Sequence, residues 1–245
     1  MPDIKELLDD LAQKYETEDF IKDDPIQFPH KYKRREDIEI AAFLASLFAY
    51  GKREVFIRKL DILFSYMGKS PYDYISKGAF DLNGLNYRFF KTADIDAFLK
   101  VLHILYTNDG GLSALFEKGY KSGSLMQYVC DYFYSHAPKT AGGGFYFGIP
   151  NPANGGAMKR MWMFLRWMVR KPPVDLGIWN FIPASELKIP VDTHVARISR
   201  ELGLLKRNSN DNRAVEELSE VLSEFSPNDP VKYDFALFGY GVNNK

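Results

Sequence analysis

Apolar residues recur at helical spacing along nearly the whole chain, and turn-forming residues cut them into short segments. Ile4, Leu7, Leu8 and Leu11 set one face of an acidic amphipathic helix over residues 3–22, closed by Pro25 and Pro29. The run IEIAAFLASLFAY (38–50) is apolar almost all round, which marks the buried central helix of a lobe. It breaks at Tyr50-Gly51-Lys52-Arg53, and the helical period resumes in EVFIRKLDILFSYM (54–67). Residues 71–86 are rich in turn formers. A helix follows from about Ala93 to Asp109-Gly110-Gly111, then shorter ones over 112–118 and 124–134.

The second half opens on AGGGFYFGIPNPANGG (141–156), the longest irregular run, whose Phe145, Tyr146, Phe147 and Ile149 are too apolar for a free linker. Glycine amides ahead of a helix offer an anion site there. Met158, Met161, Trp162, Leu165, Met168 and Val169 then repeat on one face of a helix that Lys171-Pro172-Pro173 stops. Lys159, Arg166 and Arg170 fall on another stripe with Met163. Residues 184–187 read as a single turn. Asp192, ahead of Val195, Ile198 and Leu202, is placed as the N-cap of the next helix, where the dipole favours its anionic form. Residues 211–225 form a polar amphipathic helix. Asp229-Pro230 starts the last one, with Gly241 as its stop. No strand-period segment is long enough to make a sheet, and no repeat is present, so the fold class is all-α.

At 245 residues and 46% hydrophobic, the chain can bury a core without metals or disulfides. The single cysteine, Cys130, excludes an internal disulfide and a four-cysteine cluster, and it reads as a small buried hydrophobe. No run approaches a bilayer span, and the acidic start MPDIKELLDD is unlike a signal peptide; the expectation is a soluble cytoplasmic protein. The formal net charge is zero, but it is unevenly spread. Residues 1–24 carry nine acids against three bases. Residues 132–174 carry no acid, while Lys139, Lys159, Arg160, Arg166, Arg170 and Lys171 give +6. A basic face of that kind holds phosphates; the alternative is that its charges meet acids elsewhere in the fold. His30 reads as a loop residue and His103 as a core histidine. No His/Asp spacing, His194 with Asp192 included, matches a metal-ligand helix.

A glycine turn feeding a basic helix, followed by a capping carboxylate, brings a lysine and an aspartate to one cleft. The segment VDTHVARISRELGLL (191–205), with Lys159 lying 33 residues before Asp192, resembles the helix-hairpin-helix DNA glycosylases. The long separation is most similar to the archaeal 8-oxoguanine branch. The resemblance implies a two-lobed fold, with lobes over 36–135 and over 1–35 plus 136–245, and a cleft between them. It implies base-excision repair by a monomer on double-stranded DNA, nucleoid-associated in a bacterium. Lys159 would be the nucleophile that also permits strand cleavage, and Asp192 the charge-stabilising carboxylate. Tyr50 with Gly51 would supply the wedge that fills the gap left by a flipped nucleotide. DNA contacts are expected at Asn154, Gly155, Gly156, Arg160, Arg166, Arg170 and His194, and a base pocket at Trp162, Met163, Phe145 and Phe147. No cofactor is expected, and in particular no iron–sulfur cluster. The competing reading is a DNA-binding protein without activity, motivated by the missing hairpin consensus.

Overall fold

The apolar stretch at 38–50 folds into a helix buried on every side, because it offers no polar face to water. Phe43, Leu44, Leu47 and Phe48 are fully buried there, and its two buried carboxylates are both partnered. Asp37 accepts from Ser70 Oγ and Tyr72 N, both at 2.8 Å. Glu39 meets Arg35 at 2.9 Å and the Tyr106 hydroxyl at 2.9 Å. In this computed structural model, which describes residues 3–243, every α or 3-10 element of the described residues is helical. In chain order the α-helices are α1 Ile4–Tyr15, α2 Gln27–His30, α3 Arg35–Phe48, α4 Arg53–Met67, α5 Pro71–Ser76, α6 Thr92–Asn108 and α7 Gly111–Lys121. There follow α8 Leu125–Ser135, α9 Gly143–Gly148, α10 Lys159–Val169, α11 Thr193–Glu201, α12 Asn212–Phe225 and α13 Tyr233–Asn243. The described residues contain isolated bridges but no strand. None of their helices is long and apolar enough to cross a membrane.

Two compact units are present. One joins the chain up to Asp24 to the chain from Gly155 onward; the other is Pro25–Asn154. Both lobe boundaries expected from the sequence fall inside the second unit. The physical cause is packing at its two ends: α2 lies on α3, and α9 lies on α6. Within the first unit, α13 is the central element, packed against α1 and α11. Its core is Leu8 and Ala12 of α1, Val195 and Ile198 of α11, Val215, Leu218 and Leu222 of α12, and Tyr233, Ala236 and Leu237 of α13.

Three local expectations are corrected. The first helix ends at Tyr15, and a separate 3-10 turn, Glu18–Asp23, follows. The irregular run contains the short helix α9. Gly241 does not stop α13; it lies inside it, where a Cβ would stand 3.0 Å from Ile198 and 3.2 Å from His194. Gly239 does the same against Tyr15, whose ring would be 2.4 Å from an added Cβ. These glycines let three helices approach closely rather than ending one.

Candidate functional site

Lys159 is the first residue of α10, and the backbone enters that helix through a strained residue. Met158 is the N-cap, buried, with φ +49° in the left-handed region. A bulky non-glycine residue persists there only when its surroundings hold it. Just upstream, Asn212 N donates to the Gly155 carbonyl at 2.9 Å, and Gly156 bridges Asp211, so the turn is pinned to the start of α12. Gly155 itself has φ +71° and is exposed, as are Asn154 and Gly156.

Asp192 is the N-cap of α11, as its sequence context predicts. Its Oδ1 accepts from His194 N and Val195 N, both at 2.8 Å. That division of labour leaves Oδ2 free to face Lys159, whose Nζ lies 3.7 Å away. The lysine side chain is 32% exposed and the aspartate 13%, so the pair is sheltered yet open to solvent. The orientation of α11 is set from α13: His194 Nδ1 lies 3.2 Å from the Gly241 carbonyl, which also accepts from Arg197 at 2.9 Å. His194 therefore has a positioning contact rather than a freely projecting ring.

Behind the pair stands a carboxylate that the sequence reading missed. Asp234, the only charged residue in α13, is buried and bonded to Arg166. Burial, aided by the neighbouring Asp192 charge and opposed by Arg166 and Lys159, raises its pKa to about 6. A lone acid in the apolar run YDFALFGYGV was the available signal.

The basic stripe of α10 is not a surface. Arg166 and Arg170 are 3% and 6% exposed and lie within a buried ion network. Arg166 pairs with Asp234 and Asp175; Arg170 pairs with Asp175 at 2.6 Å, Glu16 at 2.8 Å and Asp229 at 2.9 Å. Both guanidiniums also lie over the Phe235 ring, at 4.3 and 5.4 Å. The acid-free window ends at residue 174, but the fold returns acids from positions 16, 175, 229 and 234 to it. These two arginines are thereby corrected from DNA contacts to structural charges. Arg160 is partly buried, while Lys139 and Lys171 are exposed.

The expected base pocket is not assembled from the residues named for it. Met163 is buried, and Trp162 packs on the first unit's core with its indole Nε1–H buried and unbonded. Phe145 is fully buried and stacked on Phe98 with centroids 4.8 Å apart, so neither face is open to a base. One glycine amide ahead of it is also taken: Asp94 Oδ1 accepts from Gly142 N at 2.8 Å and from Phe145 N at 3.1 Å, so the start of the glycine run is bound to the protein's own carboxylate. Phe147 is 38% exposed and lies against Tyr50, 5.1 Å between centroids. Tyr50 does not project as a wedge. Its hydroxyl donates to the Tyr87 carbonyl at 2.9 Å and accepts from Phe89 N at 3.2 Å, and the Tyr87 hydroxyl returns a bond to the Tyr50 carbonyl. Gly51, at φ +84°, would clash with Arg88 if it carried a Cβ.

A cavity of about 630 Å³ opens at the far end of α10, among Glu16, Arg170, Pro172, Trp179 and Asp229. Neither Lys159 nor Asp192 lines it.

A family model, Protein of unknown function (DUF2400), matches residues 24–243. That match overturns the assignment to the helix-hairpin-helix glycosylases, which rested on one short segment and one spacing. No curated protein and no solved structure matches the chain.

Proposed function

We propose that this protein, which belongs to the DUF2400 family, excises a damaged base from double-stranded DNA and opens the strand at that position. What carries the reading is the 3.7 Å approach of Lys159 Nζ to Asp192 Oδ2, with the other carboxylate oxygen already committed to the N-terminus of α11. A primary amine beside a fixed carboxylate suits one kind of covalent chemistry. The amine attacks the anomeric carbon of a nucleotide, and the base departs with the electrons of the N-glycosidic bond. The carboxylate takes the proton that the nitrogen loses as the new C–N bond forms, and its charge stabilises the positive charge developing on the sugar. The C1′–O4′ bond then breaks, O4′ taking the proton held by the carboxylate, to give a Schiff base. Loss of a C2′ proton to that carboxylate as the C3′–O bond breaks expels the 3′ phosphate and cuts the strand. The target base must leave the duplex stack to be reached. An oxidised purine is the first substrate to test.

Borohydride reduction of the protein with DNA bearing an abasic site or 8-oxoguanine should trap a covalent complex. Lys159→Gln should abolish trapping with DNA affinity largely kept. Trapping that survives in Lys159→Gln would place the chemistry on another amine, and no turnover on oxidised, alkylated, deaminated or abasic duplexes would leave a DNA-binding protein without activity.

A further inference from the structure

Phe89 is 58% exposed, the most exposed of the large hydrophobic side chains in the described residues. It is nevertheless held firmly. Tyr87 and Phe90 close a two-residue turn with reciprocal backbone bonds, both 2.8 Å, which puts Arg88 and Phe89 at its tip. Arg88 sits at φ +50°, a conformation costly for any residue with a Cβ, and it is maintained by contacts on both sides. Its guanidinium lies 5.5 Å over the Tyr50 ring, in space that only a glycine at position 51 leaves open. The Phe89 backbone is pinned as well. Its amide donates to the Tyr50 hydroxyl, and its carbonyl is packed so tightly on Gly144 that a Cβ there would be 2.3 Å away. The ring runs parallel to Tyr50 (10° between planes, centroids 6.3 Å apart) and leans on Phe147 at 4.9 Å.

An exposed ring with a rigid aromatic backing costs hydration and fills no core. The segments that carry it, residues 50–53 and 86–92, contain Lys52, Arg53, Arg88 and Lys91 and no acid, and the nearby Asp94 carboxylate on the other side of Gly144 is buried. Lys52, Arg88 and Lys91 are exposed. Flat aromatic surface ringed by cations is the chemistry that takes a stacked base while its phosphates are neutralised. We propose that the Arg88–Phe89 tip, backed by Tyr50 and Phe147, is a stacking face for an unpaired nucleobase of DNA. The proposal rests on the reading that DNA is the substrate, and it moves the aromatic contact from Tyr50, which serves as the support, to Phe89, which serves as the contact.

The test uses the full chain and a duplex carrying a single unpaired 2-aminopurine, against the same duplex fully paired. Wild type should bind the bulged duplex at least about 10-fold more tightly and quench the 2-aminopurine fluorescence. Phe89→Ala, on a largely exposed side chain, should remove that preference and the quenching while leaving affinity for paired DNA unchanged. Phe89→Trp should preserve both. An unaltered preference and quench in Phe89→Ala would overturn the proposal. So would an equal loss on both duplexes, or a dimer in sedimentation that Phe89→Ala dissolves, since the face would then be a contact between copies. Lys159-dependent trapping is read in parallel. If it persists while Phe89 has no effect, the stacking face fails and the excision reading stands; if Phe89 governs binding with no trapping, the reverse holds.

Discussion

At the scale of single residues, Asp192 carries two duties without conflict, because its two oxygens face different ways. Oδ1 caps α11, and Oδ2 faces the lysine. Asparagine keeps an oxygen for the cap and removes the charge. Asp192→Asn should therefore change stability by less than ~1 kcal/mol in urea denaturation, since the ion pair it loses is partly exposed. In single-turnover base release it should cost roughly 10²–10³-fold, the usual toll for deleting a charge that stabilises a transition state. Equal losses of stability and rate would reduce Asp192 to a cap. Cys130, by contrast, has no such second duty; burial raises its thiol pKa, which leaves it an inert packing group.

Asp234 gives the residue scale its pH dependence. The folded chain holds its proton more tightly than the unfolded chain, about 6 against the ordinary 3.8. The stability from that proton is complete below the unfolded value and is lost as pH rises through about 6. Relative to Asp234→Asn, wild type should therefore gain about 2 kcal/mol between pH 7 and pH 4.5, measured by urea denaturation at the two pH values. A difference that stays flat or shrinks on acidification would mean that the Arg166 contact, not burial, sets this group.

At the scale of elements, α10 with its C-cap Arg170 is unusual in that it is buried nearly all round from Met163 onward although that stretch carries two arginines. It tolerates them because four acids from outside the helix surround their guanidiniums. Against burial, Asp229, Asp175 and Glu16 hold the arginine charge, so the pKa of Arg170 is raised well above its ordinary value. Removing one partner from such a network strands the others. Arg170→Ala leaves Asp175, fully buried, with a single guanidinium, and should destabilise the fold by about 3–5 kcal/mol in urea. A cost under ~1 kcal/mol would show that water replaces the guanidinium, through the cavity that Arg170 lines.

At the scale of the whole molecule, a formally neutral protein that spends two of the six cations of its acid-free run internally has four of that run left to offer phosphates. The log–log salt slope of its DNA binding should consequently lack any contribution from Arg166 and Arg170, and replacing Lys52, Arg88 or Lys91 should each lower it by about one. Titrations at several salt concentrations measure the slope directly. A slope unchanged by all three replacements would place those cations outside the DNA contact.

By itself the sequence determined what depends on local periodicity and local caps. The all-α class follows from apolar spacing, the break at Tyr50-Gly51 from the end of an apolar helix, and the Asp192 cap from a carboxylate placed just before a new helical period. Those features need only neighbours within a few residues, so they are legible in one dimension. Tertiary structure decided everything that depends on which distant residue arrives. It brought Lys159 to Asp192 across 33 residues, and it turned Arg166 and Arg170 inward by delivering Asp175, Asp229, Asp234 and Glu16. It bound the Gly142 and Phe145 amides of the glycine loop to Asp94 and made Gly239 and Gly241 contact points between helices. The reason is electrostatic and steric. A charge is solvated or buried according to its partners in space, and a glycine is a stop or a close approach according to what packs against it.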